Sequence, residues 1–341
     1  KKTNVLDRKD KDMRLDNFKE LKKKGMKQLV LDLSDNGGGY LNTAVELANT
    51  FLQAGETIVY TEGNRSPRYD ATANGRGTFK TGKLVVLVNQ YSASASEILA
   101  GAVQDWDRGV IVGRRTFGKG LVQRPFAFED GSMIRLTTAR YYTPSGRCIQ
   151  KPYKMGDKSD YAKDVYNRYK DGELQHADSI HVADSLKYTT MKHQRTIYGG
   201  GGIIPDVFVP LDTTEYSDYY GKLNSKGVFI QYTLGYVDKK RDELKKEYRD
   251  VETFNAGFEV SEEMINDMIE QGEKAGVKYD ETQFNTSKSL IKLLLKSLVA
   301  RDVFDQEAFT IIYNQRNEIL QEGLRVINDD KLYNSLLNSK K

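Results

Sequence analysis

Two stretches constrain the fold of this 341-residue chain more than any others. "QLVLDL" (28–33) runs into the turn "SDNGGG" and then the helix-periodic "LNTAVELANTFL" (41–52). "LVVLVN" (84–89) runs into "QYSASAS" and a helical segment reaching about residue 105. Each is a buried-type apolar run, a turn of small residues, and a segment of 3.6-residue period. Two such strand–turn–helix units imply a mixed α/β core whose sheet is covered by helices. A charged helix is expected at 15–25, and "GVIVG" (109–113), "LVQRPFAF" (121–128) and "SMIRLTTARYY" (132–142) read as further strands.

Residues 1–212 are accordingly expected to form the core. It is interrupted at 153–196 by an insertion that is charged, rich in tyrosine and holds all three histidines, His176, His181 and His193. "YGGGGIIPDVFVPL" (198–211) returns to strand-like composition. From 213 to 341 the chain is polar and helical in pattern, with Ser261, Glu262 and Glu263 marking one helix start, and is expected to be a separate helical domain.

Charge and composition exclude several classes. The 52 basic and 48 acidic residues leave a net charge of +4, with no uncompensated basic stripe, so nucleic acid is not an expected partner. Cys148 is the only cysteine, which rules out an internal disulfide and a thiol-based metal site. The longest apolar stretch, "LIKLLLKSLVA" (290–300), is broken by lysines and too short to span a bilayer. The first residues, "KKTNVLDRKDKDMR", hold no apolar signal core. The chain therefore reads as intracellular or as a processed extracytoplasmic protein.

The serine triplet in "SASAS" carries the chemistry. Ser94 and Glu97 have the spacing of a capping box at a helix mouth, which alone is a structural device. Yet a serine on a tight turn between a buried strand and a helix is presented at the sheet edge, where small neighbours Ala93 and Ala95 admit a substrate backbone. The Ala95 N–H, at the positive end of the helix, points to where an oxyanion would form, and Gly38 or Gly39 of the "GGG" turn offers a second donor. Ser92 and Ser96 suit packing or capping; the choice among the three rests on geometry.

A nucleophilic serine needs a base. The histidines sit in polar surroundings that suit a surface, whereas Lys119 in "RRTFGKGLVQ" is flanked by glycines and by Phe117 and Leu121. A lysine at its ordinary pKa of about 10.4 is almost wholly charged at neutrality. Desolvation without a partner carboxylate lowers that value and makes the amine a general base. If a strand starts at Lys119, Leu121 and Gln123 share its face, and the Gln123 amide can hold the amine without adding charge. "GRRTFGKG" (113–120) also approaches a phosphate-binding loop. Gly120 stands where the magnesium-binding hydroxyl should be, and a strand pattern follows where a helix should, so no nucleotide is expected.

Together "LVLDLSDNGGG", "VNQYSASASEILAGAVQD", "GRRTFGKGLVQ", "LTTARYYTPSGR" and "GGIIPDV" resemble the ordered motifs of the carboxyl-terminal processing peptidases, the tail-specific serine proteases of family S41. The resemblance covers about 27–152 and 198–211, and "RCIQKPY" is most similar to members from the Bacteroides group. It implies Ser94 as nucleophile, Lys119 as base and Gln123 as its support, with Ala95 and Gly38 or Gly39 as backbone oxyanion donors and neither metal nor organic cofactor. It further implies protein or peptide substrates with accessible C-termini and a periplasmic or otherwise extracytoplasmic location. Members usually carry a PDZ module ahead of the core. Only about fourteen charged residues precede the first helix here, so that module is expected to be missing from this chain or cut from it. By analogy the insertion and the helical domain serve substrate tethering or homo-oligomer contacts. The alternative reading is a catalytically silent, protease-like protein that binds C-terminal tails.

Overall fold

The computed structural model describes residue 18, residues 20–153 and residues 158–338. They form two compact units, one comprising the residues up to Leu211 together with those from Glu318 onward, the other Asp212–Asn317.

In the first unit the elements run β1 (Gln28–Asp32), α1 (Leu41–Asn49), β2 (Thr57–Gly63), β3 (Ser66–Thr72), β4 (Lys83–Val88), α2 (Ala95–Asp105), β5 (Val110–Gly113), β6 (Leu121–Ala127), β7 (Met133–Tyr142), α3 (Lys158–Lys170), β8 (Lys187–Thr189), β9 (Thr196–Tyr198) and β10 (Val207–Phe208). The second unit holds α4 (Asp218–Ser225), α5 (Val228–Glu247), α6 (Val251–Gly257), α7 (Glu262–Lys274), α8 (Glu281–Val303) and α9 (Gln306–Tyr313). The chain then rejoins the first unit with α10 (Glu318–Asn328) and α11 (Asp330–Asn338).

Strands β1, β4, β5 and β10 form a parallel sheet in the order β1-β4-β5-β10. Its centre, β4, is apolar at every position from Leu84 to Val88 because both of its faces are covered. Leu84, Val86 and Val88 face α1 and α2, packing with Leu47, Ala48, Ile98, Leu99 and Val103. Val85 and Leu87 face the other way and meet Ile319, Val326, Ile327 and Tyr333 of α10 and α11. Helix α10 approaches so closely that a Cβ on Gly323 would stand 2.6 Å from Leu87 Cδ2. The Tyr333 hydroxyl accepts the N–H of Leu84 (3.0 Å), and Lys83 donates to the Ile327 carbonyl (2.6 Å) and pairs with Asp330.

The second sheet is antiparallel, in the order β3-β2-β7-β6. It shares the core of α1 and α2 through Ile58, Val59, Ala71 and Tyr141. Strands β8 and β9 form a separate antiparallel pair.

The helical unit has its own core, built on Tyr219, Phe229, Phe254, Phe284, Leu295 and Val299. Side chains that satisfy free N–H groups start its helices: Ser217 for α4, Asp250 for α6, Ser261 for α7, Asp280 for α8 and Asp305 for α9. Among the described residues no helix is long and apolar enough to cross a membrane.

Three expectations change. The helical unit ends at Asn317 rather than running to residue 341, because the apolar stripe of α10 and α11 covers the second face of the parallel sheet. Of the segment 198–211, only Tyr198, the end of β9, and Val207–Phe208 pair in a sheet. The insertion, for which no elements were expected, opens with the helix α3 and holds β8, with residues 154–157 outside the described ones. The segment expected as a helix at 15–25 is helical at 20–23, and residues 15–17 and 19 lie outside the described residues.

Candidate active site

The turn between β4 and α2 is fastened to the turn after β1 by two of its three serines. Ser92 donates to the carbonyl of Leu33 (2.7 Å) and accepts the N–H of Asn89 (2.9 Å). Ser96 donates to the Asn36 carbonyl (2.9 Å) and is 3.0 Å from Asn36 Oδ1. Both side chains are fully buried; Ser94, at 8% exposure, is the one that reaches the surface. Its backbone has φ 58° and ψ −115°, a conformation that L residues avoid and that strained functional turns retain. Burial raises the pKa of the Tyr141 phenol beneath it, and a side-chain interaction with Ser94 partly offsets the rise.

Gly38 lies against this turn with φ +93°, and a Cβ there would meet Ala93 O at 2.6 Å, Ala95 N at 2.8 Å and Ser94 Cβ at 2.8 Å. Only glycine lets the two turns close on each other. The Gly38 N–H donates to Asn36 Oδ1 (3.0 Å). Those of Gly39 and Ala95 have no protein acceptor among the described residues.

Glu97, fully buried in the first turn of α2, organises the rest. Its Oε2 accepts the N–H of Ser94 (2.8 Å) and of Lys119 (2.8 Å). Its Oε1 accepts the Thr116 hydroxyl (2.5 Å) and the Gly118 N–H (2.7 Å). Burial pushes the carboxyl's pKa up, and the four donors work against that rise. The glutamate of the expected capping box thus joins the serine turn to the lysine loop.

Lys119 is half-buried, precedes β6, and has no ion-pair partner among the described residues. The strand begins at Leu121 rather than Lys119, so simple alternation does not carry Gln123 onto the lysine's face. Instead the β6–β7 register slips: Val122 pairs with Ala139 and Gln123 with Thr137, leaving Thr138 out. Such a bulge re-aims side chains. By register it sets Gln123 beside Thr137, which is exposed, unlike Ala139 and Tyr141 on the other side of the slip. Gln123 is exposed, and its amide has no protein partner among the described residues. His176, His181 and His193 are all exposed. No group of three or more histidine, cysteine, aspartate or glutamate residues is placed to hold a metal among the described residues.

Sequence reasoning missed the outer support of the lysine loop. Arg168 of α3 donates to the carbonyls of Arg115 (2.6 Å) and Thr116 (3.0 Å), and Glu173 pairs with both arginines. The Lys151 ammonium lies 3.8 Å from the Phe117 ring centre and 4.0 Å from that of Tyr161, and pairs with Asp164 at 3.1 Å. Lone charges in "IQKPY" and in α3 gave no signal, because their partners come from across the insertion. Glu97 left only its capping-box spacing from Ser94, which marks the helix start and not the lysine loop.

Residues 6–161 match the model of Peptidase family S41, and residues 219–305 match a family of unknown function (DUF8443). The chain is 44% identical over 134 residues to a C-terminal processing peptidase, chloroplastic, of Tetradesmus obliquus, covering 39% of this chain and 29% of that protein. It is 45% identical over 139 residues to a carboxyl-terminal-processing protease of Synechocystis sp., covering 41% and 32%. A probable CtpA-like serine protease of Staphylococcus aureus is 41% identical over 146 residues, covering 42% and 28%. The solved photosystem II D1 C-terminal processing protease aligns at 41% identity and a TM-score of 0.40, over 42% of this chain and 37% of that one. The chain thus spans about a third of the length of the curated relatives it matches. With the match spanning the serine turn, the Glu97 carboxylate and the lysine loop alike, this chain carries a domain of Peptidase family S41.

Proposed function

We propose that the chain is a serine endopeptidase that cuts proteins near accessible C-termini through a Ser94–Lys119 dyad. The observation that carries the reading is the shared Glu97 oxygen. It holds the backbone of a strained, surface-reaching serine and that of an unpaired lysine within two hydrogen-bond lengths of each other. Ser94 Oγ attacks the scissile carbonyl carbon while the neutral Lys119 amine takes its proton. The oxyanion forms at the Ala95 N–H, with Gly39 as second donor in preference to Gly38, whose N–H is already engaged. Collapse breaks the C–N bond, Lys119 returns the proton to the leaving amine, and water then hydrolyses the acyl-enzyme by the same route. Gln123 steadies the amine once substrate has closed the site. The relatives' names, a C-terminal processing peptidase and carboxyl-terminal-processing proteases, point the same way.

The test is hydrolysis of a protein carrying an unstructured C-terminal tail. Ser94→Ala and Lys119→Arg should each abolish cleavage; arginine keeps the charge but cannot give up its proton in this range. Cleavage that persists in Lys119→Arg would remove the lysine from the reaction.

A further inference from the structure

We propose that the cleft between the β2–β3 turn and the β6–β7 hairpin binds an extended, acidic segment of the protein substrate. Strand β7 is ten residues long, but β2 pairs only with Arg140, Tyr141 and Tyr142. From Met133 to Ala139, β7 is therefore paired with β6 on one side and with no strand on the other among the described residues. The β2 side of the cleft starts at Gly63, where a Cβ would stand 2.2 Å from the Thr138 carbonyl. A free strand edge is a template for an incoming extended chain.

The space beside that edge measures about 1050 Å³. It is walled by Arg65, Arg124 and Arg140, by Phe126 and Leu136, and by a single acid, Glu62. Phe126 and Leu136 are 46% and 48% exposed, a large apolar area to leave on a sheet face without a function. None of the three arginines forms a salt bridge or a side-chain hydrogen bond among the described residues. By contrast Arg115, Arg147, Arg168 and Arg195 of the same unit are all ion-paired. Three unpaired cations against one anion select carboxylates. In an extended chain every second side chain points the same way, so alternating acids would reach all three. The unpaired backbone edge argues for a peptide over a polyphosphate, whose charge its carbonyls would repel.

The cleft is one strand away from the serine. Tyr141 of β7 interacts with Ser94, while its neighbours Arg140 and Tyr142 line the cleft. A tail held there lies against the back wall of the site that would cut it. The proposal rests on the endopeptidase reading for the identity of its ligand, but its readout is binding alone.

The experiment uses the Ser94→Ala chain and fluorescent peptides alternating threonine with glutamate, glutamine or lysine, followed by anisotropy. The glutamate peptide should bind about tenfold tighter than the glutamine peptide, a difference of about 1.4 kcal/mol, and the lysine peptide more weakly still. Joint Arg124→Glu and Arg140→Glu substitution should reverse that order. Glu62→Gln should tighten the glutamate peptide, and Arg135→Glu, exposed on β7 but outside the cleft, should leave the order unchanged. Equal binding of the three peptides, or an order indifferent to the double reversal, would overturn the proposal. So would a dimer, seen by sedimentation, that Arg140→Glu dissociates. Selective binding by a chain that hydrolyses nothing would uphold the cleft and sink only the catalytic reading.

Discussion

Ser94 and Lys119, twenty-five residues apart in sequence, hang their backbone N–H groups on the same oxygen of Glu97, each at 2.8 Å. Glu97→Ala strips the acceptor from these two donors and from Thr116 and Gly118, three of the four bonds being buried and that of Lys119 partly so. The loss should be roughly 3 kcal/mol or more of stability, since each orphaned buried donor costs about 1–3 kcal/mol. Activity should vanish with it. Glu97→Gln keeps the shape but turns one acceptor into a donor facing donors, and should fall between the two. Denaturant titration reads the stabilities; a glutamine variant as stable and active as the parent would show that the carboxylate does not organise the site.

Ser94 gives a prediction of opposite sign. Glycine accepts φ 58° without a Cβ clash, and relieving such strain is worth about 1–3 kcal/mol. The flexibility that glycine adds to the unfolded chain takes back about 0.4–1 kcal/mol. Ser94→Gly should therefore be inactive yet more stable than the parent by about 1 kcal/mol, whereas Ser94→Ala is inactive and gains nothing. A Ser94→Gly chain that melts below Ser94→Ala would mean the turn is unstrained.

Lys151 supplies a pH signature. Burial holds its pKa below the ordinary lysine value, and the Asp164 pair only partly restores it. Between the folded and unfolded values the unfolded chain binds more protons, so stability rises with pH across that window. Lys151→Met removes the titrating group. The stability difference between variant and parent should be greatest below the folded pKa, where the parent buries a charge, and shrink as the pH climbs toward the ordinary lysine value. Parallel stability curves over that range would contradict the assignment.

A chain ending at Asn317 lacks α10 and α11. Val85, Leu87, Val110 and Val112 then face water, and Ile319, Val326 and Ile327 no longer bury about 1.5–3 kcal/mol apiece. The first unit should lose its cooperative transition and bind a hydrophobic dye, while Asp212–Asn317 stays protected from proteolysis. An unchanged melting transition in the truncated chain would refute the covering role.

Local patterns in the sequence reach the elements that depend on near neighbours. The two strand–turn–helix units, the serine turn and the Ser261 start of α7 all follow from residues within a few positions of one another. What eludes them is contact at long range. The capping-box spacing explains Glu97 locally, so nothing in the sequence asks it to serve Gly118 and Lys119, twenty-one and twenty-two residues on. The period of α10 and α11 announces an apolar stripe but not the sheet that receives it, and so the segment reads as more of the helical domain. The face of Gln123 depends on a register slip opposite Thr138, and an alternating pattern contains no mark of a slip.

The return of α10 and α11 to β4 also dictates a timetable. Leu84 meets the Tyr333 hydroxyl across 249 residues, and Lys83 meets the Ile327 carbonyl across 244. As the chain leaves the ribosome, β4 emerges long before the helices that shelter one of its sides, and the whole of Asp212–Asn317 is made in between. For that interval the nascent protein carries a bare apolar sheet, the kind of surface that chaperones hold and that aggregates when they do not. The serine turn springs directly from the end of that same strand, so its final geometry awaits the arrival of α10 and α11.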